Sequence, residues 1–325
     1  MRYTRKKYWF NSLPLLLIFA GLVACQEATH QIDGLDAEWP QMEIPADNGM
    51  DADKVSLGDL LFHDPALSID SSVSCASCHL ADYSFADTVA YSTGVYGRIG
   101  VRNSPSLLNT GFHPHYMREG GVENLEMQVL VPLQDVLEMD HNIVAACDRL
   151  NQDSFYVAEF QRVFNDSVTP YGLVRAIANY ERTLISNNAP IDRYLAGEDA
   201  LSKEALRGAK LFYGKANCVM CHSGILFSDF DFASNGTSIT DGDIGRQRHT
   251  LAPEDAYTFK TPSLRNLAKT APYMHTGELQ TLDEVLQQYN SGGTGHAYTD
   301  PRIEPLNLNS TEIEALKAFL LALSE

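Results

Sequence analysis

The chain has 325 residues, 44% of them hydrophobic, and a formal net charge of −18 from 24 Lys and Arg against 42 Asp and Glu. That length can bury two sizeable cores. The acidic balance makes it a poor nucleic-acid binder, because phosphate contacts need Lys and Arg; a basic partner or plain solubility accounts for the charge equally well.

At the start, Arg2, Arg5, Lys6 and Lys7 precede an apolar run from Leu13 to Val23. Basic residues before a short apolar core form an export leader, and the run is too short for a span of about 20 apolar residues. Leu22-Val23-Ala24-Cys25 resembles the lipobox of bacterial lipoproteins, in which the cysteine is acylated and becomes the first residue. Residues 1–24 are then a signal peptide. Lipid on Cys25 would anchor the body to the periplasmic side of a bacterial membrane without threading it through. An ordinary cleaved leader that happens to contain a cysteine would leave the protein soluble in the periplasm. Residues 25–50 read as a lead-in linker.

Four of the five remaining cysteines lie in Cys75-Ala-Ser-Cys78-His79 and Cys218-Val-Met-Cys221-His222. C-x-x-C-H is the attachment signature of c-type haem. Two thiols at this spacing form thioethers to the two vinyl groups, and the adjoining imidazole lies under the iron. A zinc site would leave both histidines unexplained. Structural disulfides suit such close spacing poorly, and a thioredoxin-like motif is not expected twice with a trailing histidine. Cys147 is left over and reads as a buried free thiol.

The surroundings of the two motifs repeat, as a duplicated unit would. Gly58 and Phe62 precede the first motif as Gly208 and Phe212 precede the second. Ser84-Phe85-Ala86-Asp87 echoes Phe227-Ser228-Asp229, and Pro105-Ser106-Leu107 echoes Pro262-Ser263-Leu264. The units are expected over 51–195 and 196–325, separated by turn residues between Asn188 and Leu201. A helix is predicted from Lys203 to Phe212. Thr281 with Glu284 forms a capping box that opens a helix to about Tyr289, stopped by Asn290-Ser291-Gly292-Gly293. Thr311 with Glu314 opens another, with an apolar stripe of Ile313, Leu316, Leu320 and Leu323. Met274, His275 and Tyr289 bracket the first of these two helices, and each could bind iron.

Taken together, these motifs resemble the bacterial dihaem cytochrome c peroxidase family, which includes the MauG-type enzymes, from about Pro45 to the C-terminus. The resemblance implies a mainly α fold with two cytochrome c-like haem domains in tandem and two covalent haem c groups. It implies a peroxidase-type oxidoreductase in which hydrogen peroxide reacts at the N-terminal haem. Electrons from a small cytochrome c or cupredoxin would enter through the C-terminal haem. A MauG-like oxidation of a partner protein and a plain electron carrier are the alternatives. A homodimer is one arrangement the sequence permits.

Within the resemblance, Gln128-Val-Leu-Val-Pro132 through Glu138 matches the peroxidatic segment. Peroxide cleavage needs a base that takes a proton from one oxygen and returns it to the other. Glu138 is assigned that role, with Gln128 hydrogen bonding beside it and Pro132 covering the open face. Asn103 and the carbonyls of Thr270 and Pro272 match an interdomain calcium site, and hard oxygen donors suit Ca²⁺. Arg246 is assigned to a haem propionate on charge alone. The resemblance places the distal ligand of the second haem at Tyr289, with Met274 as runner-up; His275 is expected to hydrogen bond at the interface. A tyrosinate favours ferric iron where a thioether favours ferrous.

Two positions depart from the family pattern. Val95 stands where many peroxidases carry a histidine that caps the first haem, so that haem is expected to be open at rest. Arg118 stands where a tryptophan often lies between the haems. Trp9 leaves with the leader, and Trp39 lies in the lead-in.

Overall fold

The computed structural model describes residues 30–239 and 242–325. Cys25 and the leader lie outside them. The first unit is built on α1 (Ala52–His63) and α7 (Pro170–Glu181), which pack face to face. Between them come α2 (Cys75–Cys78), α3 (Leu125–Gln128), α4 (Leu130–Gln134), α5 (Ile143–Leu150) and α6 (Ser154–Phe164). After α8 (Pro190–Leu195), the second unit repeats the pair with α9 (Lys203–Tyr213) and α12 (Ser310–Leu321), and adds α10 (Gln247–Thr250) and α11 (Leu282–Ser291). The one sheet among the described residues is a two-stranded antiparallel pair, Phe232–Ala233 with Phe259–Lys260. The fold is mainly α.

The repeated glycines explain how each helix pair closes. A Cβ on Gly58 would lie 2.0 Å from the Ala176 carbonyl oxygen, and one on Gly208 would lie 1.9 Å from that of Ala315. Only glycine lets the backbones approach this closely. Phe62 and Phe212 follow on the same faces, both fully buried. Phe62 packs on Tyr180 at 5.1 Å and Phe212 on Phe319 at 5.3 Å between ring centroids. Each unit has its own apolar core.

Thr281 and Glu284 cap α11 reciprocally, and Gly292 ends it at φ 85°. The cap of α12 lies earlier than expected. Asn309, rather than Thr311, accepts from the Glu312 N–H and donates its own N–H to the Glu312 carboxylate. An asparagine is an equally strong cap, and Thr311 already lies within the helix.

The lead-in is more than a linker. Ile32 and Leu35 pack on the second core. Trp39 lies against Phe112 of the first unit, with the Arg265 guanidinium of the second over its ring at 4.6 Å. Farther along, the fully buried Asn48 donates to Glu126 and to the Arg175 carbonyl. The boundary also shifts, because α8 belongs to the second core through Ala189 and Ile191. The Ile191 N–H reaches the Ala322 carbonyl, and Asp192 takes a two-pronged contact from Arg265. Turn composition marked the right stretch, but only these contacts show to which core α8 is attached.

Candidate haem sites and the distal pocket

Each C-x-x-C-H motif sits on a short helical turn that follows the glycine-bearing helix of its unit. His79 Nδ1 lies 2.9 Å from the Phe85 carbonyl oxygen, and His222 Nδ1 lies 3.0 Å from that of Phe227. This contact fixes the tautomer: Nδ1 donates, and Nε2 keeps its lone pair for a metal. Burial lowers the pKa of both imidazoles, which keeps them neutral, as a ligand must be. The repeated sequence around Phe85 and Phe227 supplies these acceptors. Ser106 and Ser263 then hold the two loops alike, donating to the carbonyls of Ser84 and Leu226 at 2.6 Å each.

All four motif cysteines are unpaired. Burial, their first cause in every case, raises all four thiols above the usual range. They are therefore neither disulfides nor ready thiolates. Among the described residues no three His, Cys, Asp or Glu side chains converge on a metal site, which sets the zinc alternative aside. Two free thiols beside a neutral, oriented imidazole fit covalent haem in each unit. Cys147 is buried and unpaired, as expected.

Beside the first motif, α3 and α4 are two short helices in place of one. Pro132 has no N–H to give the Gln128 carbonyl, so the helical ladder is interrupted at Val129. Gln128 ends α3 half-buried. The segment beyond α4 is pinned on several sides. The Ile69 N–H reaches the Met139 carbonyl at 3.0 Å, and His141 binds the Leu133 and Leu67 carbonyls. Glu138 follows α4 on this pinned segment. Desolvation, followed by the nearby Asp135 charge, pushes its pKa up to about 7. Its charge is felt at both Cys75 and Cys78, so the carboxyl lies within electrostatic reach of the first attachment site.

Val95 is fully buried, and its loop lies directly on the Glu138 segment. The Val95 N–H donates to the Glu138 carbonyl at 2.8 Å, and a Cβ on Gly94 would lie 2.1 Å from the Leu137 carbonyl oxygen. Arg98 closes the loop through Asp140 and the Val136 carbonyl, at 2.6 Å each.

In the second unit, Tyr289 and Met274 come together. Asn235 Nδ2 lies 3.3 Å from the Tyr289 hydroxyl and 3.3 Å from the Met274 sulfur. The phenol is held at about 12 by burial, against the Asn235 hydrogen bond that lowers it, and it lies within electrostatic reach of Cys218 and Cys221. Both candidate ligands thus meet at Asn235. Asn235 was not legible in the sequence, where it is one polar residue in a turn. His275 makes other contacts: it stacks on Phe259 at 4.0 Å, and its carbonyl accepts from the Asn103 N–H at 2.8 Å.

The expected calcium position holds something else. Arg118 donates to the Asn103 carbonyl at 2.7 and 3.1 Å and to its side-chain oxygen at 3.1 Å. Thr270 and Pro272 lie on the adjoining turn before His275, but the asparagine oxygen meant for the metal already faces a cation. Arg118 also acts on Lys260 and His275, depressing both pKa values after burial. With the Arg118 guanidinium on both Asn103 oxygens, the donor set does not fit Ca²⁺. Arg246 lies over the Phe232 ring at 3.6 Å, donates one N–H to the Glu119 carbonyl and stands 3.8 Å from Asp255.

Comparison with known proteins agrees with the paired sites. Residues 52–200 match the family model described as di-haem cytochrome c peroxidase. The chain is 34% identical to cytochrome-c peroxidase IdrP2 of Denitromonas iodatirespirans, over 97% of this chain and 93% of that protein. The chain belongs to the di-haem cytochrome c peroxidase family. It is 36% identical to the methylamine utilization protein MauG of Methylorubrum extorquens, over 85% of this chain and 79% of that one. A crystal structure of a MauG-like protein associated with microbial copper homeostasis superposes with a TM-score of 0.84 at 30% identity, covering 88% of this chain and 93% of that chain. Membership makes this protein a cytochrome-c peroxidase-type oxidoreductase with two haem c groups.

Proposed function

We propose that the enzyme reduces hydrogen peroxide to water at the first haem. The observation that supports this reading is the Glu138 carboxyl, close enough to the first attachment site for its charge to be felt at Cys75 and Cys78, with its pKa raised to about 7. A group poised there can accept a proton and return it at the operating pH. Glu138 takes the proton from one peroxide oxygen and delivers it to the other, and the O–O bond breaks. Two electrons from a donor protein and two protons complete the conversion of one peroxide to two waters. Bound haem supplies the redox-active iron through which those electrons pass. Gln128 orients the peroxide by hydrogen bonding, and Pro132 keeps the face apolar and free of a competing ligand.

The donor is a small cytochrome c or cupredoxin, whose basic surface the acidic chain suits. No helix among the described residues is long and apolar enough to cross a membrane, which is compatible with export and a lipid on Cys25. Arg246 has guanidinium donors to spare and remains the residue we assign to a propionate. Replacement of Glu138 by Gln keeps the shape and removes the proton carrier, so peroxide turnover should fall by about 10²-fold or more. Unchanged turnover would sink this reading.

One observation favours a second reading, oxidation of residues on a partner protein in the MauG manner. Tyr289, with Asn235 bonded to its hydroxyl, is suited to serve as an anionic ligand that favours ferric iron. Rapid turnover with a generic electron donor supports the peroxidase; turnover of one particular protein with slow generic donors supports the alternative.

A further inference from the structure

The seam between the units contains a network of fixed charges. Arg102 of the first unit makes a two-pronged contact to Asp243 of the second at 2.7 and 2.8 Å, and its remaining nitrogen binds Glu119. Lys260 of the second unit sends its N–H to the Arg118 carbonyl and its ammonium to the His115 carbonyl, at 2.6 Å each. At the centre, Asn103 gives its N–H to the His275 carbonyl of the second unit, and its two oxygens receive Arg118.

Asn103 is buried. Its oxygens need a donor, since a buried unmet acceptor costs about 1–3 kcal/mol. A guanidinium meets that need with several donors in one plane, and it carries the positive charge a metal would bring. Arg102 has its own counter-ions in Glu119 and Asp243 and does not compete for Asn103. A divalent ion added beside Arg118 would meet like charge in place of an empty oxygen cage.

We propose that the Arg118 guanidinium is a built-in cation that braces the two haem units through Asn103, in the place where the family resemblance puts a bound Ca²⁺. One residue then accounts for two departures from the pattern, because the same arginine also stands at the position of the inter-haem tryptophan. The brace does not depend on which substrate the enzyme oxidises or reduces. It requires no metal, so the coupling of the units is indifferent to calcium.

The test uses the holoprotein carrying both haems. After treatment with EGTA and desalting, calcium chloride is titrated in by calorimetry, and thermal unfolding is followed with EGTA and with calcium. The wild type should take up no Ca²⁺ and melt at the same temperature in both. Uptake of one equivalent, with a Tm that falls in EGTA, overturns the proposal. Arg118→Gln should lower the Tm and make it rise again with calcium, whereas Arg118→Lys should keep most of the wild-type Tm. Arg118→Gln melting like the wild type would overturn the brace; a lowered Tm with no calcium response would overturn the shared position. Should the glutamine variant not fold, the wild-type titration still decides whether the arginine replaces the metal.

Discussion

Pro132 and Tyr289 occupy the same place in the two halves of the molecule. Each lies eight residues beyond the residue that caps its helix, Asn124 or Thr281. Each cap follows a matching bridge, Tyr116 to Val122 in the first unit and Tyr273 to Leu279 in the second. In both turns the methionine after the tyrosine has a positive φ, 63° at Met117 and 75° at Met274. The same framework thus presents a side chain that cannot bind iron in one unit and one that can in the other.

This relationship makes Tyr289 the expected distal ligand. Tyr289→Met should shift the low-spin g values of the second haem in low-temperature EPR, and Met274→Leu should leave them in place. The reverse pattern would make Met274 the ligand.

With the buried Val95 at the position of the capping histidine, the first haem is expected to be open at rest. EPR of the protein as isolated should show a high-spin ferric signal before any reductant is added. Val95→His should convert much of that signal to low spin and slow the reaction with peroxide until the enzyme is reduced. Two low-spin haems in the wild type would show that another residue caps the site.

Glu138, as the proposed base, is expected to set the acid limb of the activity profile. Its pKa is raised to about 7 by desolvation and then by Asp135, and the base must be ionised to accept a proton. Turnover at saturating donor should therefore fall as pH drops through about 7. Asp135→Asn removes a negative neighbour, lowers the Glu138 pKa and should move the limb to lower pH. A limb that stays in place in this variant would assign it to another group.

Close approach of the helix pairs gives a stability test for each unit. A methyl at Gly58 or Gly208 meets a backbone carbonyl that cannot swing away. Gly58→Ala and Gly208→Ala should each cost about 1–3 kcal/mol or more in thermal unfolding. Unperturbed melting would mean that the helices separate freely.

Much of this was legible in one dimension because it depends on local spacing. Cys75, Cys78 and His79 must be neighbours for one haem to reach all three, so the motif is written in adjacent letters. The Thr281 capping box and the Gly58 and Gly208 repeats are local in the same sense. The cap of α12 falls on Asn309 and not on the expected Thr311, although each has a glutamate three residues on, so spacing alone misplaced it.

Other features depend on residues far apart in the chain. Asn235 meets Met274 and Tyr289, Trp39 meets Phe112 and Arg265, and Arg118 meets an Asn103 whose own N–H is held by His275. No local pattern encodes such meetings, because they exist only once two packed cores bring their loops to a common seam. The motifs specify the chemistry each unit can host; packing of the units against each other selects the partners of each ligand and the charge that fills the space between them.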